Sequence, residues 1–202
     1  MGKILNESSL EDLITADESL EKNKKQEEYL EYIKNHVNNV KKAFQIHFVP
    51  LLDYDFISDK MSDQEIKDAI RKAATLVEEH DASKYGDEEF DGYREKYYPT
   101  ASEKADPDFE KLASEKSETA WINHYSNNPH HPMYWVDKET NSKLDMSLEY
   151  IIEMLCDWLA MSMAQGTDCW DWYRNKAEKE KASFTNKTKE IVEEFLFNIL
   201  KR

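Results

Sequence analysis

The chain has 202 residues, of which 40% are hydrophobic and 12% aromatic, enough for one domain with a real core. Only four glycines and five prolines argue against an all-β protein built on tight turns, and a formal net charge of -15 repels nucleic-acid backbones and anionic membranes. Two cysteines, Cys156 and Cys169, are too few for a disulfide framework.

Residues 1–21 form a polar N-terminal segment for which loose attachment is expected, and 22–202 read as a single helical domain. Met1 to Glu11 lacks the long apolar run of a signal peptide, and no window approaches 18 apolar residues. A cytoplasmic compartment, in a bacterial cell or a phage-infected host, is the expectation; the Lys/Asn/Glu-rich composition suits such AT-rich genomes. The first long helix is expected over 22–49, with Leu30, Ile33, Val37, Val40 and Phe44 recurring at three and four residues and Pro50 as its stop. His36 lies beside that stripe. Ser62 and Glu65 form a capping box for a second helix, whose apolar face runs through Ile66, Ile70, Ala73, Leu76 and Val77 to His80.

A short amphipathic helix follows around Glu88 to Tyr97. Asp106 and Pro107 then read as the N-cap and first residue of a helix reaching Tyr125, with His124 on its last turn. "SNNPHHP" is a loop in which two prolines frame His130 and His131. Ser147 opens an apolar helix through Leu148, Ile151, Ile152, Leu155 and Leu159, stopped by Gly166, with Asp157 inside it. "WDWY" starts a shorter helix, and Thr185 to Leu200 forms the last. No stretch reads as a strand, so the fold class is all-α, a single-domain helical bundle.

Five of the six histidines, His36, His80, His124, His130 and His131, fall at helix faces, helix ends or the one loop between helices. Each has a bland explanation alone: a core histidine, a helix-end cation, a surface turn. Asp157 does not, because an acid between Leu155, Trp158 and Leu159 needs a partner. With His80 adjacent to Asp81, the set supplies imidazole and carboxylate ligands from several elements, as helical bundles do for Fe, Mn, Zn, Co or Ni. So many donors exceed one mononuclear site; two ions sharing Asp81, about 3.5–4 Å apart, would use them all. Glu153, one turn before Asp157, suits either an acceptor behind a ligating histidine or a general base. His47 falls outside the pattern. Tyr93, Trp121, Tyr134 and Trp135 read as core packing before pocket walls, and Glu88, Glu89 and Arg94 as a solvated helix face or a site entrance.

The order H…HD…H…HH…D resembles the HD-domain superfamily of metal-dependent phosphohydrolases and their diiron relatives. His80, Asp81, Ala82, Ser83 and Lys84 are similar to the HD-x-x-K form of binuclear members. "HDASKY", "WINHYSNNPHHPMYW" and "EMLCDW" also look like an uncharacterised family of bacterial and phage proteins, a domain of unknown function, over residues 30–175. The resemblance implies an HD-like fold, a metal core of His36, His80, Asp81 and Asp157 with Asp81 bridging, added ligands from His124 and from one or both of His130 and His131, and a phosphate contact from Lys84. Pro132, Met133, Tyr134 and Trp135 stand where cyclic-dinucleotide phosphodiesterases of this class carry Gly-Tyr-Pro, which argues against that substrate.

The expected function is therefore a metal-dependent phosphohydrolase acting on a nucleotide or related phosphate ester through one or two divalent transition metals, with Lys84, Asp81 and Glu153 as catalytic residues. The competing expectations are an HD-like diiron oxygenase and a non-catalytic interaction protein. A small phosphorylated partner is expected, with no double-stranded nucleic acid and no membrane; an oligomer stays open.

Overall fold

The computed structural model describes residues 7–200, with side chains from Thr15 onward. No β-strand occurs among the described residues; an isolated antiparallel bridge joins Val136 and Lys143. The all-α expectation holds. The helices are α1 (Glu7–His47), α2 (Asp63–Glu78), α3 (Phe90–Tyr97), α4 (Ala101–Ala105), α5 (Phe109–Asn127), α6 (Leu148–Gln165), α7 (Cys169–Lys176), α8 (Glu178–Ser183) and α9 (Asn186–Glu194). Short 3-10 turns lie at Val49–Asp53, Ala82–Tyr85 and Pro132–Trp135, and a π-helical turn, Phe195–Ile199, continues α9.

α1 begins at Glu7 rather than near residue 22. The added turns carry Glu7, Glu11, Asp12, Asp17, Glu18 and Glu21 and no lysine, acids that suit the N-terminal end of a helix; further along, Lys25 Nζ lies 2.7 Å from Glu28 Oε2, one turn apart. Met1 to Asn6 lie outside the described residues. α2 starts as expected: Glu65 N–H donates to Ser62 Oγ at 3.3 Å and Ser62 N–H to Glu65 Oε2 at 2.8 Å. Thr100 and Glu103 repeat the device at α4. Asp106 and Pro107 are a turn between α4 and α5 rather than the first turn of α5; Asp108 N–H bonds Asp106 Oδ1 at 2.9 Å, and the helix starts at Phe109. Asp168 caps α7 by accepting from Trp170 and Asp171 N–H at 2.7 and 3.1 Å. Gly166 ends α6 with φ of 64°, in the left-handed region a glycine enters without cost.

Backbone contacts divide the chain into two units. The first takes α1 up to Ile33 and Ser83–His124. Its core is aromatic and small: the Tyr29 ring lies 5.1 Å from Phe90 and 5.7 Å from Tyr98, and α3 crosses α5 at Gly92, where a Cβ would meet Lys116 O at 2.8 Å and Ala120 Cβ at 3.0 Å. Arg94, fully buried, donates from Nη1 to both Glu103 oxygens at 2.8 and 2.7 Å, tying α3 to α4.

The second unit takes Lys34–Ala82 and the chain from Tyr125. α2 packs along α6, and Val40, Phe44, Phe48, Ile70, Val77, Ile152, Leu155, Phe195 and Leu196 form a continuous buried core. Burial on nearly every side of α6, from Ile151 to Cys156 and again at Trp158 and Ala160, marks it as a central helix.

Candidate metal centre

Three elements and one loop of the second unit bring their polar side chains to one place. On α1, His36 shares the face of Val40 and Phe44, each one turn further on, so the imidazole is carried inward with the core stripe. The buried face of α2 ends at Val77, and His80 and Asp81 follow its last turn, which closes through Ala82 N–H to Glu79 O at 3.1 Å. Asp81 has φ of 59°. That left-handed backbone costs an L-residue about 1–2 kcal/mol, less for Asp than for most, and strain of this kind collects at functional positions. α6 supplies Glu153 and Asp157, one turn apart on one face. The histidine loop is braced from within: His131 N–H donates to Asn128 O at 3.0 Å, and Trp135 Nε1–H to Pro129 O at 2.7 Å.

The distances define a cluster. His36 Nε2 lies 3.4 Å from Asp81 Oδ2 and 3.2 Å from Asp157 Oδ1. His80 Nε2 lies 3.6 Å from Asp81 Oδ2 and 4.0 Å from Asp157 Oδ1, and His130 Nε2 lies 3.7 Å from Asp81 Oδ1. The two Asp81 oxygens thus face different histidines. His80 and His130 point their other nitrogens at one acceptor: Nδ1 of each meets Glu153 Oε1, at 2.9 and 3.2 Å. The His131 ring lies beside His130, tilted by 44° with ring centroids 4.2 Å apart. His80 and Asp81 are each 2% exposed, and Glu153 4%, so this is an interior cluster rather than a solvated acidic patch.

Burial opposes charge on His36, but the Asp157 and Asp81 carboxylates outweigh it and raise its pKa to about 9. For His80 burial again opposes charge, and Asp81, Glu153 and Asp157 carry the pKa upward. The acids respond in kind. Burial would raise Glu153, and His130 and His80 pull it below the usual carboxylate range; burial would raise Asp157, and His36 first, then His80 and His130, hold it well below. At neutral pH the ion-free cluster therefore holds His36 as an imidazolium between two carboxylates, with a proton standing where a metal cation could.

The donor set fits a metal ion. Atoms about 2.1 Å from one ion stand about 3.0–3.4 Å apart across octahedral or tetrahedral edges. The 3.2, 3.4 and 3.6 Å separations around His36, His80, Asp81 and Asp157 lie at or just beyond that spacing, and mostly beyond a well-made N–H···O bond. His80 Nε2 is buried and has no hydrogen-bond partner among the described residues. His36, His80 and Asp81 form one group able to hold a metal ion; His80, His130 and Asp157 form a second; Asp81, His130 and His131 each offer an atom within 4.8 Å of the others. Neither Cys156 nor Cys169 belongs to any of these groups. Imidazole with carboxylate is the ligand chemistry of Fe, Mn, Zn, Co and Ni.

Of the expected site residues, His36, His80, Asp81, His130, His131, Glu153 and Asp157 stand in the second unit. His124 and Lys84 belong to the first. There His124, 1% exposed, has Nδ1 2.8 Å from Glu89 Oε2 and 3.3 Å from Ser83 Oγ, and Asn123 Nδ2 donates to Glu89 Oε1 at 2.9 Å. Lys84 is half-buried in the Ala82–Tyr85 turn. Glu89 and Arg94 are fully buried, not a solvated face; Glu88 is exposed. The signal was available, since Glu89 precedes the buried Tyr93 by one turn. Glu153 is the acceptor behind two imidazoles. Tyr93 packs inward, Trp121 lies 5.9 Å from the His124 ring, and Trp135 braces the loop and packs on Tyr134 and Tyr150.

No helix among the described residues is long and apolar enough to cross a membrane. No curated protein and no solved structure matches the chain. One family does, over residues 25–198, which hold every candidate ligand named above, and on that match the chain belongs to DUF5662, a family of unknown function.

Proposed function

We propose that this protein is a metal-dependent phosphohydrolase of HD type, acting on a nucleotide or a related phosphate ester. The observation that carries the reading is the convergence of His36 and His80 Nε2 with Asp81 and Asp157 oxygens at 3.2–4.0 Å, in the sequence order H…HD…D. Those four residues would hold a first ion. Asp81, His130 and His131 would hold a second. When bound, such ions supply Lewis acidity, lowering the pKa of water and neutralising phosphate oxygens. The chain's own residues do the rest. His36, Asp81 and Asp157 fix the cation's place, Glu153 orients His80 and His130, and burial keeps bulk water from the carboxylates. Lys84, three residues after Asp81 in the chain, has by resemblance the task of meeting a substrate phosphate. The net charge of -15 favours cation uptake and repels phosphate at long range, so the ions and Lys84 would have to supply the local attraction.

The test is metal content by elemental mass spectrometry on untagged protein purified without chelators, beside Asp81→Asn, followed by phosphate release from a nucleotide panel. One or two transition-metal ions per chain, lost in the variant together with turnover, is the expected result. Dioxygen uptake by the iron-loaded protein with no phosphate release would replace hydrolysis with oxidative chemistry. A folded protein that binds no divalent metal would overturn the enzyme reading.

A further inference from the structure

One oxygen of Glu153 faces two imidazoles. Its Oε1 lies 2.9 Å from His80 Nδ1 and 3.2 Å from His130 Nδ1, while the two rings sit 4.4 Å apart, centroid to centroid. A carboxylate oxygen has two lone pairs and can accept both N–H groups. A neutral imidazole carries one N–H, so donation from Nδ1 leaves Nε2 as a bare lone pair. The Nε2 atoms are the ones that face the aspartates, His80 toward Asp81 and Asp157, His130 toward Asp81. Glu153 itself cannot turn aside easily. It is 4% exposed in the middle of α6, between the buried Ile152 and Met154, and closed off from solvent, which removes it as a general base.

We propose that Glu153 is a positioning residue that fixes His80 and His130 as Nε2 ligands at the same time, so that one buried carboxylate sets the metal affinity of the centre through both rings. The inference rests on the proposed metal site and deepens it. Carboxylates behind ligating histidines are worth about 10–100-fold in metal affinity each; a carboxylate shared by two rings falls at the upper end of that range. The amide of glutamine keeps an accepting oxygen, so it preserves the tautomers and loses only the charge.

The experiment compares wild type, Glu153→Gln and Glu153→Ala by Zn2+ affinity in chelator competition and by histidine side-chain 15N NMR, with circular dichroism as the folding control. The expected result is Zn2+ binding weakened about 100-fold in Glu153→Ala and about tenfold or less in Glu153→Gln. Nδ1–H would be retained on both rings in wild type and in Glu153→Gln, and mixed tautomers would appear in Glu153→Ala. Equal Zn2+ affinity and unchanged tautomers in Glu153→Ala would overturn the inference while leaving the metal site standing. Should Glu153→Ala not fold, Glu153→Gln decides it: a loss of about 100-fold, or altered tautomers, overturns the positioning role. If wild type binds no Zn2+, the metal reading fails separately. The ion-free protein at alkaline pH, with neutral imidazoles, then tests the tautomers directly: Nδ1–H on both supports the role of Glu153, Nε2–H on either rejects it.

Discussion

Asp81 carries two demands that pull apart. Its carboxylate must present one oxygen to His36 and His80 and the other to His130, and its backbone must stand at φ of 59° to do so. Alanine resists that conformation by about 1 kcal/mol; asparagine tolerates it. Both substitutions remove the carboxylate, but asparagine also keeps a polar group facing the histidines, so the two effects share a sign. In urea denaturation of the metal-free proteins, Asp81→Ala should be less stable than Asp81→Asn by about 1 kcal/mol or more. Equal midpoints would mean the left-handed backbone at 81 stores nothing. At this scale the sequence was informative where chemistry is anomalous: an aspartate inside an apolar helix, a His-Asp pair at a helix end. The sharing of Glu153 could not be read, because it depends on two rings brought from α2's end and the 128–131 loop to one oxygen. Glu89 and Arg94 misled for the same reason: charge suggested solvent, and only their long-range partners, His124 and Glu103, explain the burial.

At the scale of elements, the approach of α3 to α5 turns on one missing methyl. Glycine to alanine inside a helix normally stabilises by about 0.5–1 kcal/mol. At Gly92 the new Cβ would sit 2.8 Å from Lys116 O and 3.0 Å from Ala120 Cβ, and a backbone carbonyl cannot swing aside. Overpacking of this kind costs about 1–3 kcal/mol, so the clash outweighs the propensity and Gly92→Ala should lower the melting temperature. A rise would show that α3 can lift off α5 freely. The start of α2 offers a milder test. Ser62→Ala removes the acceptor for Glu65 N–H and should cost about 1 kcal/mol in denaturant unfolding, while leaving Zn2+ affinity unchanged because the site lies at the opposite end of the helix. Caps like this one were legible because an apolar run follows Ser62. The same box at Thr100 was not, since α4 is one polar turn with no stripe behind it. The early start of α1 was hidden likewise: residues 15–20 are exposed, leaving no buried face there to give a period.

At the scale of the whole molecule, pH separates the ion-free protein from the metal-bound one. In the ion-free state His36 has a pKa of about 9 against an ordinary 6.5, and His80 is raised too. Groups raised on folding stabilise fully below their ordinary value, and that contribution is lost as pH climbs through the folded one. Glu153 and Asp157 are lowered, so their contribution is present above about pH 4 and lost on acidification. The metal-free protein should therefore be most stable from about pH 5 to 6.5 and weaken toward pH 9. A divalent ion cancels the upper half of that trend, because it must displace the protons on His36 and His80 to bind. Each displaced proton strengthens binding up to tenfold per pH unit, worth about 1.4 kcal/mol per unit at saturating ion. The gap in melting temperature between Zn2+-loaded and chelator-treated protein should widen steadily from pH 6 to pH 8, and calorimetry in buffers of different ionisation enthalpy should register proton release on binding. A gap that stays constant across that range, with no proton released, would mean that His36 and His80 keep their protons and that the ion, if it binds, binds elsewhere.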